Sequence, residues 1–180
     1  MKKLSILLLA LCAFALNAAP PDKPAAAGPY QEVGWLALVP RDWKPQERLD
    51  RKKAQSLNDG DALAQEMMKE LREILDTAPT VAALDGVPVR LPGYVVPLEQ
   101  GKDGLTEFLL VPYFGACIHT PPPPANQIVH VRARTPQKGI QSMSAVWVQG
   151  VLRTTRKDSA MGVSGYSLEM AGVEAYRPNR

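Results

Sequence analysis

VPVRLPGYVVPL, residues 87–98, decides the fold. From Leu84 onward apolar residues recur with a period of two, the signature of a half-buried strand. Val87–Leu91 and Tyr94–Leu98 read as one strand bent at Pro92-Gly93. A glycine there permits a bulge or a sharp coil. Gln100–Gly104 makes a turn with two glycines, and Leu105–Tyr113 a second strand. Ile128–Ala133 is a third. Ala145–Thr154 is a fourth, kinked at Gly150, with Trp147 expected in the core. Tyr166–Tyr176 is a fifth, broken at Gly172. Five short strands with kink glycines predict a mainly β domain, a five-stranded OB-like barrel. A β-sandwich with a flanking helix is the alternative.

Upstream of the strands the period changes to that of a helix. Leu63, Met67, Leu71, Ile74 and Leu75 fall on one face at three- and four-residue spacing over residues 59–78. Asp59 or Asp61 caps the start and Pro79 stops it. The expectation is one N-terminal amphipathic helix packed on the barrel by Leu63, Met67, Leu71 and Leu75. Met67-Met68 at this spacing reads as core packing. Trp35, Leu38 and Trp43 are expected to tie the preceding segment down. No internal repeat is visible.

The chain has 180 residues, 46% apolar and 22% charged. That composition excludes wholesale disorder and a multi-span membrane protein. With 13 Gly and 17 Pro it is rich in loops. Met1-Lys2-Lys3 is a basic start, Leu4–Leu16 is apolar apart from Ser5, and Asn17-Ala18-Ala19 supplies small residues. This is the pattern of a secretory signal over residues 1–18, cut after Ala18. A flexible Ala/Pro-rich leader over 19–33 and a single domain over 34–180 follow. The apolar run is shorter than the ~20 residues that span a bilayer. A soluble bacterial periplasmic protein is expected, without a stable membrane span after cleavage. Beyond the cut, 19 Lys+Arg face 18 Asp+Glu, a net charge of +1. So near-neutral a balance points away from nucleic acid as a partner.

The unusual chemistry is concentrated in PYFGACIHTPPPPANQIVH, residues 112–130. It holds Cys117, the one cysteine beyond the signal, and both histidines of the chain, His119 and His130. Pro121, Pro122, Pro123 and Pro124 lack backbone donors and impose an extended polyproline course. In an extended segment, residues two apart face the same side, so Cys117 and His119 can converge on one point. Thiolate and imidazole suit zinc or copper. His130, or Glu99, Asp103 or Glu107, could complete such a site, although C-x-H spacing is less specific than paired C-x-x-C. The plainer alternative makes Cys117 a small buried hydrophobe and His119 a structural residue. A Cys117-His119-Asn126 nucleophilic arrangement is a third, against which stands the sequence proximity of Cys117 and His119. Gly115 reads as loop geometry and Asn126 as a turn residue satisfying backbone groups left unpaired by the prolines. No phosphate-binding loop, dinucleotide fingerprint, H-E-x-x-H or serine elbow is present, and no reaction is named by the pattern.

PGYVVPLE (92–99), FLLVPYFGACIHTPPPPANQIV (108–129), VWVQGVLR (146–153) and GVEAY (172–176) resemble a bacterial family of exported proteins of unknown function. The resemblance covers residues 35–176 and is strongest over 93–129. It rests on the G-A-C-I-H-x-P-P-P-P-x-N-Q pattern, whose matching positions are Cys117, His119, Asn126 and Gln127. Members are sometimes encoded beside ABC-type transport components linked to zinc uptake. The resemblance therefore implies an accessory role in transition-metal handling, with zinc as the ion and transport components as partners. The rival implication is a non-catalytic adaptor that docks a transport or envelope protein, with Cys117 and His119 structural.

Overall fold

A computed structural model describes residues 30–47, 62–118 and 122–177. The expected signal, its cleavage point and most of the leader, together with His119 and Pro121, lie outside the described residues. Eight strands are described: β1 (Gln31–Glu32), β2 (Pro88–Gly101), β3 (Gly104–Val111), β4 (Val129–Gln137), β5 (Ala145–Arg153), β6 (Lys157–Ser159), β7 (Gly162–Ser164) and β8 (Tyr166–Ala175). One α-helix, α1, spans Ala62–Asp76.

β2 is the strand on which closure depends. Its first half, Pro88–Tyr94, pairs antiparallel with β5, and its second half, Tyr94–Gly101, pairs antiparallel with β3. The switch falls at the bend expected from Pro92-Gly93. A side chain at Gly93 would come within 2.8 Å of both Leu110 and the Val111 carbonyl, so only glycine admits that approach. β3 continues to β4, β4 pairs parallel with β8, and β8 pairs antiparallel with β5. The sheet thus closes as β2-β3-β4-β8-β5-β2. This is a five-stranded barrel with the Greek-key closure of an OB-like fold. β1 adds a short parallel strand beside Val89 and Arg90 of β2.

Alternation sends Val89, Leu91 and Val95, Phe108 and Leu110, Val129 and Val131, Val146, Val148 and Leu152, and Tyr166 and Leu168 into one core. Trp147 is the exception to the expected core set. It lies on the outer face of β5, with the Arg90 guanidinium 4.1 Å from its ring centroid and the Tyr176 ring 5.5 Å away. Val146 and Val148, its neighbours on the strand, take the interior.

The helix is held more loosely than its pattern predicts. Ile74 is buried, Met67, Leu71 and Leu75 are partly buried, and Leu63 stays 42% exposed. Leu63 therefore does not pack as expected. Just past the helix, Ala78 joins Ala125, Val163 and Trp43 in a small apolar cluster. Trp35 and Leu38 dock on the main core as predicted. The tie is polar as well as apolar: the Tyr166 hydroxyl donates to the Leu38 carbonyl and accepts from the Val81 amide, both at 2.7 Å.

Candidate functional site

Between β3 and β4, the described residues 112–118 and 122–128 include Ala116, Cys117 and Ile128, which pack over the outer face of the barrel. There Val96, Leu109, Val111, Ala116 and Ile128 form a second apolar cluster, separate from the barrel interior. Cys117, Met143 and Met161 pack against that cluster from its edges. Met143 comes from the β4–β5 connection and Met161 from the turn of the β6–β7 hairpin.

Local backbone bonds shape the loop. The Ala116 amide donates to the Tyr113 carbonyl and the Ile118 amide to the Gly115 carbonyl. Gly115 adopts φ +85°, the loop-geometry role expected of it. Its N–H donates to Met143 Sδ at 3.1 Å. Pro124 has φ −56° and ψ 149°, the polyproline geometry predicted for the run. Pro122 packs against the β6–β7 hairpin, where a side chain at Gly162 would lie 3.1 Å from Pro122 Cβ. A short 3-10 turn at Ala125–Gln127 ends the loop. The Ala125 carbonyl accepts from Gly165 at 2.6 Å.

Asn126 is fully buried, and its Nδ2 donates to the Pro79 carbonyl at 3.0 Å. It ties the loop to the segment after the helix, 47 residues away, rather than satisfying the loop's own backbone. Its Oδ1 has no hydrogen-bond partner among the described residues.

Of the expected ligands, Cys117 and His130 lie among the described residues. Cys117 sits at φ +64°, inside a turn. The extended course that would align it with His119 does not hold there, and His119 itself lies outside the described residues. His130 occupies the outer face of β4, opposite Leu109 of β3. It is 94% buried, with Nε2 3.5 Å from Glu107 Oε1. The same oxygen accepts two bonds from Arg132, at 3.1 and 2.9 Å. Burial alone would raise the Glu107 pKa; the bond from Arg132 and the charges of His130, Arg132 and Lys157 outweigh it, so the carboxyl titrates below its ordinary value. Burial, with the Lys157 charge, lowers the pKa of His130. Among the described residues no three His, Cys, Asp or Glu side chains stand together as a metal-holding group.

Cys117 is a free thiol, partly exposed. Burial against the apolar cluster pushes its pKa up to about 11, only partly opposed by the Arg72 charge. A thiol held protonated in this way is a poor nucleophile near neutrality.

Apolar exposure around the loop is not visible in spacing arguments. Tyr113 is 43%, Phe114 65% and Ile118 40% exposed. The Phe114 ring meets Tyr94 edge-on, centroids 5.8 Å apart. Tyr94, with Trp35, Pro92, Pro112 and Tyr176, lines an adjoining groove of about 190 Å³. The legible signal was the aromatic pair Tyr113-Phe114 beside a proline run, and the sequence reading assigned it no role. Among the described residues no helix is long and apolar enough to cross a membrane.

Residues 35–175 match the family described as "Protein of unknown function (DUF3299)". The crystal structure of a DUF3299 family protein from Pseudomonas aeruginosa PAO1 is similar at 34% identity and a TM-score of 0.63, over 85% of this chain and all of that one. A yobA protein from Bacillus subtilis is 18% identical, with a TM-score of 0.32 over 51% of this chain and 98% of its own. Nothing about this chain follows from so distant a likeness. No curated protein matches.

Proposed function

The chain belongs to the DUF3299 family, whose description assigns no activity, and from its own residues we propose that it is a non-catalytic docking module of the cell envelope. The loop at 112–128 is the contact surface, and a transport or envelope protein is the partner. One observation carries this reading. Three large apolar side chains, Tyr113, Phe114 and Ile118, stand exposed within six residues of a loop anchored on the barrel. Exposing such side chains together costs solubility unless something covers them. Aromatic residues that are already ordered lose little entropy on binding and make good interface anchors. The groove beside Tyr94 extends the same surface toward Tyr176.

The test is site-specific photocrosslinking in intact cells. A photoreactive residue at Phe114 should give one dominant adduct, which a second substitution, Ile118→Asp, abolishes. The same probe at Lys138, on another loop, should give none. Equal labelling from both positions refutes the docking surface.

A second reading is transition-metal handling, with zinc bound by Cys117, His119 and His130 in an exported accessory protein. It is favoured by Cys117, a free and partly accessible thiol on the same loop. Zinc titration of wild type and Cys117→Ser should show a stoichiometric site lost in the variant.

A further inference from the structure

Where β2 changes partners, three aromatic side chains wall one groove. Trp35, Tyr94 and Tyr176, with Pro92 and Pro112, line its space of about 190 Å³. The walls are fixed before anything binds. Trp35 Nε1 donates to the Pro92 carbonyl at 2.7 Å. The Tyr94 ring meets Phe114 edge-on, and Tyr176 rests on Trp147 while its amide donates to the Ala145 carbonyl at 2.9 Å. No charged side chain is among the lining residues. The hydroxyls of Tyr94 and Tyr176 have no hydrogen-bond partner among the described residues. We infer that this groove seats the chain's own proline-rich residues 20–29, PPDKPAAAGP, in the polyproline conformation. The inference concerns the groove end of the docking surface and stands whether or not a partner engages Phe114.

Size, backbone and position select the occupant. The groove is smaller than the ~300–1,000 Å³ clefts that hold a whole drug-sized molecule, so it takes side chains of a longer segment. Tyr94 is paired with Val111 of β3 on one side and with Ala145 of β5 on the other. β2 therefore offers no open edge there to which a strand could add. A polyproline helix needs none. It makes no internal hydrogen bonds, its prolines donate none, and its carbonyls are open acceptors. Phenol hydroxyls can donate to those carbonyls, and aromatic-lined grooves hold such segments because their conformation is set in advance. Two stretches of the chain are rich enough in proline. The run Pro121–Pro124 is engaged elsewhere: Pro122 lies against Gly162 of the β6–β7 hairpin, and Pro124 leads into the 3-10 turn at Ala125–Gln127. Residues 20–29 hold Pro20, Pro21, Pro24 and Pro29, and one Asp balances one Lys, which suits an uncharged groove. They also reach it. Tyr30, where the described chain begins, is five residues from Trp35 and so within about 18 Å of it by chain geometry. The ten residues 20–29 span about 31 Å in polyproline geometry. Gly28 permits the reversal that brings Pro20, Pro21 and Pro24 back over the rings.

The test is fluorine NMR on the chain from Ala19 onward, labelled with 5-fluorotryptophan. Trp35 reports on the groove, and Trp43, which packs on the cluster beside Ala78 and Ala125, is the control. Combining Pro20→Ala, Pro21→Ala and Pro24→Ala should shift the Trp35 resonance and leave that of Trp43 in place. A chain beginning at Tyr30, which keeps every described residue, should show the same shifted resonance. A synthetic peptide of residues 19–29 should return it, saturably, to the position in the intact chain. The peptide carrying the three alanines should bind about tenfold more weakly, the scale on which loss of an interface anchor is felt. Tyr176→Ala in the intact chain should cancel the effect of residues 19–29 on Trp35. The peptide titration uses the unaltered groove, so the result stands even if that variant fails to fold. A Trp35 resonance that is the same with and without residues 19–29, and unmoved by the peptide, overturns the inference. A difference that vanishes on dilution overturns it too, because a second copy then fills the groove. Equal binding of the alanine peptide overturns it by showing that the prolines are not what is held. None of these outcomes alters the crosslink at Phe114, which tests the docking reading on its own.

Discussion

Removing the single hydroxyl of Tyr166 should loosen the whole N-terminal half of the domain from the barrel. The ring is fully buried in the core and Tyr166→Phe leaves it in place, so no cavity opens. What disappears is a bridge. The hydroxyl accepts from Val81, which follows the helix, and donates to Leu38, at the end of the 3-10 turn Trp35–Leu38, each at 2.7 Å. In the variant both backbone groups lose their partner. A buried polar group left unsatisfied costs about 1–3 kcal/mol. The Leu38 carbonyl pays this in full, being buried, whereas the partly buried Val81 amide can be reached by water. The sum is about 2–3 kcal/mol by that estimate. For a chain of this size each kcal/mol shifts Tm by roughly 2–4 °C, so a loss of roughly 4–12 °C is expected. Calorimetry measures this, and hydrogen exchange should show the Val81 amide losing protection. There is a pH signature as well. Burial raises the Tyr166 phenol above its ordinary 10.0. A raised pKa means stability that is present below pH 10 and lost as pH rises through the folded value, so the wild type should carry an alkaline slope that Phe lacks. A Tm change under about 1 °C with unaltered Val81 exchange would show that the bridge does not hold the two parts together.

Two further outcomes test the barrel and the loop. Gly150 sits at the irregularity in the β5–β8 pairing, and a Cβ there would lie 2.2 Å from the Glu169 carbonyl and 2.6 Å from Leu168 Cδ2. Because the first of these is backbone, Gly150→Ala should destabilise by about 3 kcal/mol or more, while Gly101→Ala, with nothing within 4 Å of its Cβ, should stay within about 0.5 kcal/mol. Denaturant melts of the two, side by side, decide this, and equal stabilities would refute the close approach. Cys117 should alkylate slowly at neutral pH, with a rate that climbs toward a midpoint near 11; a midpoint at or below the ordinary 9.0 would mean that the thiol does not sit against the apolar cluster.

The five barrel strands, their kinks and the helix were legible in the sequence because each depends on neighbours along the chain. A period of two over 87–98, or of three and four over 59–78, is a local property that burial only has to ratify. The proline run was equally legible as a stiff segment, since ring closure fixes φ whatever surrounds it. The β6–β7 hairpin was not: Lys157–Ser159 and Gly162–Ser164 are three residues each, too short for a period to show.

Other features belong to the tertiary structure alone. Val146, Trp147 and Val148 are apolar on both faces of their strand, so alternation could not say which face closes inward; the barrel turns the two valines in and Trp147 out. The parallel pairing of β4 with β8 and the closure of β5 on β2 join strands that nothing local connects. At the site, spacing put Cys117 and His119 together through an extended backbone, but packing of the loop on Val96, Leu109 and Val111 bends it into a turn at Cys117. The methionines that pack with Cys117 against the outer apolar cluster come from positions 143 and 161, and the partner of Asn126 from residue 79. The chain alone determines which segments are strands and which loop is stiff, because those are short-range preferences. Which side chains meet across that loop is decided only when the barrel closes and brings distant segments onto one outer face.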